Sequence, residues 1–112
     1  MTHQDNYQTA YIRQKIAKKE FGVTSHAYDN MGERKIWLDE ALEAIINGEA
    51  LEIQKFEGKN VRVLFQEAAA DVPRFCVVVD IDHPDVQIVT AFNFEEEKFE
   101  YDEKQKCWRR IK

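Results

Sequence analysis

The sequence predicts an α+β domain in which N-terminal helices pack on one face of an antiparallel sheet of four or more strands. Two observations carry this. Apolar residues recur at helical spacing up to Gly48 and at a spacing of two beyond it. The strand-like runs are joined by short polar turns, as in a meander, with no helical pattern between them. The 112 residues are enough for one core but not two, so residues 1–112 are read as a single domain.

Residues 6–20 suit a helix. Tyr7, Ala10, Tyr11, Ile12 and Ile16 fall at helical spacing with lysines on the opposite side, and Gly22 is a stop just beyond. Thr24 or Ser25 can cap a second helix over His26 to Glu33, which Gly32 weakens near its end. The strongest helical pattern is residues 38–47. Ala41, Leu42, Ile45 and Ile46 make its stripe, Asn47-Gly48 terminates it, and Trp37 is expected to pack against its start. Leu51 to Phe56 then reads as a strand, Glu57 to Asn60 as a turn, and Val61 to Phe65 as the second arm of a hairpin. Arg74 to Ile81 is nearly all apolar, the mark of a central strand covered on both faces. Asp82 to Asp85 is a turn and Val86 to Phe92 a fourth strand. Residues 94–112 form a tail. Glu95 to Tyr101 suits a helical turn or an extension, and Phe99, Tyr101, Trp108 and Ile111 around a charged centre allow a hairpin.

Composition narrows the function classes. The 16 Lys and Arg against 21 Asp and Glu leave a net charge of −5, which argues against a protein that coats nucleic acid. Basic residues nevertheless cluster at both ends, Arg13 to Lys19 and Lys98 to Lys112. No window approaches the roughly 18 apolar residues of a membrane span, and the N-terminus lacks a secretory pattern, so a cytoplasmic protein away from membranes is expected. Cys76 lies in the apolar run Phe75 to Val79 and reads as a small buried hydrophobe. Neither it nor Cys107 has metal-ligand spacing. No metal site and no cofactor are expected.

Candidate chemistry sits in Ser25 to Ile36, where His26 and Arg34 lie eight positions apart, and at Thr90 in the last strand. An imidazole can accept or donate a proton near neutral pH, a guanidinium can hold two phosphate oxygens, and a hydroxyl can orient them. Together they would suit metal-free cleavage of a phosphodiester. Each has a plainer reading: a helix-start residue for His26, an ion pair with Glu33, Asp29 or Asp39 or else a helix C-terminal charge for Arg34, a β-former for Thr90. His3 and His83 are not expected to be catalytic. Lys35, Lys98 and Tyr101 are candidate substrate-binding residues, the last by stacking on a base. Core packing is the expected use of most aromatics from Phe92 to Trp108.

Four blocks follow one another in order: Ser25-His26-Ala27, Met31-Gly32-Glu33-Arg34-Lys35-Ile36, Ala44-Ile45-Ile46-Asn47-Gly48-Glu49 and Ile88-Val89-Thr90-Ala91-Phe92. Over about residues 24–93 this resembles an uncharacterised bacterial domain family with His-Ala, Met-x-Glu-Arg, Asn-Gly-Glu and Ile-Thr-Ala-aromatic motifs. That family is similar to the small ribonuclease toxins of the barnase–EndoU–colicin–RelE group. The resemblance implies a RelE-like or barnase-like fold, a metal-independent endoribonuclease toxin of a toxin–antitoxin system, RNA as substrate and a small antitoxin as partner. Carried over by position, it implies His26, Arg34 and Thr90 as the catalytic set. Asp29, in the spacer, departs from the expected charge of such a site, as does the acidic balance. The alternative expectation is a non-catalytic protein-interaction module on the same fold.

Overall fold

The computed structural model describes residues 7–54, 60–68, 72–82, 84–95, 98–103 and 107–110. The expected turn lies outside these but for Asn60, as do His3 and His83; of Cys107 and Trp108 only the backbone is described.

Helix α1 spans Tyr7–Ala17 and buries Thr9, Ile12 and Ile16. Tyr7 and Ala10, expected on its apolar stripe, are exposed. The buried arc follows the spacing of three and four through Thr9, Ile12 and Ile16, and Tyr7 falls off it. Lys19, at φ 62°, ends the turn after α1; a left-handed residue, not Gly22, breaks the helix. Gly22 instead belongs to strand β1 (Gly22–Val23). Helix α2 spans Ser25–Arg34 and helix α3 Leu38–Asn47. The amphipathic pattern placed both within a residue or two.

Four further strands complete the main sheet: β2 (Glu49–Gln54), β3 (Val61–Gln66), β4 (Phe75–Asp82) and β5 (Asp85–Asn93). Their order is β1-β5-β4-β3-β2, with β4 central as its apolar run predicts. The last four form the expected antiparallel meander. The fifth strand, β1, was not expected; it runs parallel to β5, Gly22 opposite Gln87 and Val23 opposite Ile88. Its two residues are too few to show any alternation in the sequence.

Helix α3 passes into β2 through Gly48, which sits so close to the sheet that a Cβ there would lie 2.0 Å from the Gln66 carbonyl oxygen and 2.3 Å from that of Ala44. Its φ is −84°, so glycine is required by contact rather than by conformation. Across the sheet, Arg62 and Asp80 are directly opposed, with Nε 3.3 Å from Oδ1, and Asn60 donates to the same carboxylate at 3.0 Å.

The helices cover one face of the sheet. Ile12, Met31, Ile45, Phe65, Val77, Val79 and Ile88 are buried between the two layers. Each such side chain contributes roughly 1.5–3 kcal/mol. The other face is half closed. Strands β6 (Phe99–Asp102) and β7 (Cys107–Arg110) form a hairpin, one of the arrangements the tail allowed. Phe99 packs on Leu51, Leu64, Cys76 and Val78, beside Phe92 and Phe94. The Phe94 and Phe99 ring centroids are 4.5 Å apart. Cys76 is a buried free thiol, as its setting predicts.

Candidate functional site

The site is built on α2 and the strand beside it. Thr24 fixes the start of the helix: its Oγ1 accepts from the Ala27 N–H at 3.1 Å and donates to the Val89 carbonyl at 3.4 Å, while its own N–H donates to the Ile88 carbonyl at 3.0 Å. One residue therefore caps α2 and ties it to β5. Ala27 and Met31 face the core. Lys35, at φ 57°, closes the other end, where the Ile36 N–H reaches back to the Met31 carbonyl at 2.9 Å.

His26, Asn30 and Arg34 occupy positions four apart along this helix. Four residues turn about 400°, so the three form a stripe that drifts toward the core as it runs. His26, in the first turn, is exposed; Asn30 and Arg34 are half-buried. Over eight residues the helix rises about 12 Å, and helical side chains lean back toward the N-terminus, which aims Arg34 along the stripe toward Asn30. The Arg34 Nη1 atom is buried and has no hydrogen-bond partner among the described residues. Such a donor costs about 1–3 kcal/mol, the size of one buried side chain, so the fold can tolerate it. None of the ion pairs expected for Arg34 forms; it stands in the last turn of α2, the helix C-terminal charge that was the other expectation. Asp29 is exposed and lies about 140° round the helix from Arg34, which takes its charge away from the stripe.

Thr90 joins the stripe from β5. The register slips by one residue between Val78 and Val79, leaving Val89 extra and Thr90 opposite Val78. The Thr90 hydroxyl donates to Asn30 Oδ1 at 2.6 Å. Its proton is thus committed to Asn30, whose amino group keeps two N–H donors. Asn30 is the member of the group that residue types alone did not single out, though its place midway between His26 and Arg34 was visible in the spacing.

The remaining candidates fall in two separate places. Lys35 is exposed at the C-terminal end of α2, next to Arg34. Lys98 and Tyr101 flank Phe99 and so sit with the hairpin on the opposite face of the sheet; Lys98 pairs there with Glu95 at 2.9 Å. Trp37 does not pack on α3. It is the N-cap, held in extended backbone geometry (φ −78°, ψ 146°), and its side chain is 75% exposed. That geometry swings the indole off the arc of Ala41, Ala44 and Ile45.

Two surface hollows lie elsewhere. One, of about 190 Å³, is lined by Glu40, Glu43, Ala44, Glu67, Ala68 and Arg74. Arg74 fills its charge: Nε donates to Glu67 at 2.9 Å, and Nη2 bridges Glu40 and Glu67. The Arg74 hydrogen bond, then that from the Trp37 N–H, hold the Glu40 carboxyl below its ordinary range, and the two carboxylates raise Arg74 above its own. The other, of about 390 Å³, lies between the end of α1 and the start of β5 and holds the Lys15–Glu20 pair at 3.6 Å. Among the described residues no group of His, Cys, Asp and Glu is placed to hold a metal ion, and no helix is long and apolar enough to cross a membrane.

Comparison with known proteins gives one family. The model of a Domain of unknown function (DUF4258) matches residues 23–93, from β1 to the last residue of β5. The match spans more than half of the chain, and the chain belongs to this family. No curated protein and no solved structure matches. Helix α1 and the β6–β7 hairpin lie outside the matched residues.

Proposed function

We propose that this DUF4258 member is a metal-independent endoribonuclease that takes the scissile phosphate at the α2–β5 stripe. The reading is supported above all by Arg34, whose Nη1 is a buried cationic donor without a partner among the described residues, four positions along α2 from the neutral N–H donors of Asn30. A phosphate oxygen meets that donor once the half-buried Arg34 side chain turns outward, and a guanidinium hydrogen bond to an anion is about twice as strong as a neutral one. In this scheme His26 removes the proton from the 2′-hydroxyl. The 2′-oxygen bonds to phosphorus, the bond to the 5′-oxygen on the opposite side breaks, and a solvent water gives that leaving oxygen its proton. Arg34 and the Asn30 amino group hold the charge that develops on phosphorus. Thr90 orients Asn30 and does not touch the phosphate; Lys35 adds an exposed cation at the rim. The chain would be the toxin of a toxin–antitoxin pair, with a small antitoxin protein covering this stripe.

The test is cleavage of a mixed RNA in EDTA by the full chain and by His26→Ala and Arg34→Met. The expected result is that His26→Ala binds RNA but loses at least about 100-fold in rate, the range of a general acid–base group, while Arg34→Met loses binding as well. Equal cleavage by all three removes the site. A chain that neither binds nor cleaves RNA removes the nuclease reading.

A further inference from the structure

We infer that the RNA taken by this site is single-stranded at the cleaved nucleotide, with its unpaired base stacked on Trp37; the inference rests on the nuclease reading above. The indole is the most exposed large apolar side chain described, at 75%. Its backbone is fixed from both sides. The Trp37 N–H donates to Glu40 Oε1 at 3.1 Å, and its carbonyl accepts from the Ala41 N–H at 3.1 Å. An aromatic plate held out by a rigid main chain gives stacking area with little ordering cost.

Its place relative to Arg34 is set by the end of α2. Lys35 turns the chain in left-handed geometry, the Ile36 side chain is buried, and Trp37 follows. Three peptide links separate Arg34 from Trp37, so their Cα atoms are at most about 11 Å apart. A nucleotide whose phosphate meets Arg34 can reach the indole with its base turned out. A paired base cannot, because its faces are already covered by neighbours in the helix.

The charges around the indole agree. Exposed Asp39 lies two residues beyond Trp37 in the first turn of α3, and it would repel a phosphate placed there. A neutral base is admitted. Trp37 therefore serves the base end of the nucleotide and Arg34 the phosphate end. A protein partner docking on Trp37 would leave RNA binding independent of the indole, and this separates the two occupants.

The experiment measures anisotropy of labelled 2′-fluoro RNA, which lacks the attacking hydroxyl, with the full chain, Trp37→Ala, Trp37→Phe and Arg34→Met. The probes are a short oligouridylate, a duplex of the same length and an abasic ribose-phosphate oligomer. Trp37→Ala should bind the oligouridylate roughly 5- to 100-fold more weakly, the worth of one stacked base. Trp37→Phe should keep most of the affinity. The abasic oligomer should bind wild type and Trp37→Ala alike, and the duplex should bind wild type less well than the single strand. Unaltered oligouridylate binding by Trp37→Ala overturns the inference, as does an equal loss for the abasic oligomer. If Arg34→Met loses every probe while Trp37→Ala loses none, the stacking fails and the nuclease reading stands. No binding by wild type sinks both. An unchanged melting temperature for Trp37→Ala confirms that an exposed side chain was removed from an intact fold.

Discussion

Arg13 and Arg34 are both half-buried helical guanidinium groups, yet one is sealed and the other is not. Arg13 Nε donates to the Ile45 carbonyl at 2.9 Å, Nη2 donates to the Gly48 carbonyl at 2.7 Å, and the group lies 5.7 Å from the Phe65 ring centroid. It closes the C-terminal end of α3, whose last carbonyls have no helical partners. Arg34 stands at the end of α2 with a buried nitrogen and no acceptor among the described residues. The end it occupies is already closed by the backbone of Lys35 and Ile36. The same residue type is cement in one place and a vacancy in the other. The contrast teaches that a buried cation reads as functional when the main chain around it is satisfied without it.

The sealed region should be the more fragile. Gly48→Ala forces a methyl into two carbonyl oxygens and is expected to cost on the order of 3 kcal/mol or more, read as loss of cooperative unfolding or a steep fall in denaturation midpoint. Arg13→Met strands two carbonyls and should cost about 2–4 kcal/mol by urea denaturation. Arg34→Met, by contrast, removes a donor that has no partner among the described residues and should stabilise the chain by about 1 kcal/mol while abolishing the proposed RNA binding. A loss as large as that of Arg13→Met would erase the contrast. Gly32→Ala tests the helix that carries the open arginine. An added Cβ meets nothing within 4 Å, so a gain of about 0.5–1 kcal/mol is expected. The smallest effect belongs to Arg74, which bridges two carboxylates at the surface. Glu40 titrates below its ordinary value of 4.5. A depressed carboxyl stabilises the fold fully above the unfolded value, and that contribution fades as pH falls through the folded one. Melting temperatures of wild type and Glu40→Gln should therefore differ at about pH 6, and the gap should narrow as the pH falls below 4.5. A constant gap would show that the bridge does not titrate.

Periodicity made most of the fold legible. Residues 38–47 and 75–82 carry patterns that only one environment satisfies: a one-sided helix and a strand buried on both faces. What escaped depends on partners distant in the chain. The pairing of Gly22 with Gln87 has no local signature. Thr9 rather than Tyr7 faces inward because α1 is turned by its neighbours, and Trp37 is exposed because an N-cap does not share its helix's arc. In the candidate site, His26 and Arg34 stood out by chemistry, whereas Asn30 needed the Thr90 contact before its spacing meant anything.

The strand that anchors α2 is only two residues long, and its mate is among the last parts of the main sheet to be synthesised. A nascent chain that has not yet delivered β5 has no carbonyl for Thr24 to grip and no hydroxyl for Asn30. The stripe cannot exist on a truncated product. Its assembly is a checkpoint that only a chain extended through β5 can pass.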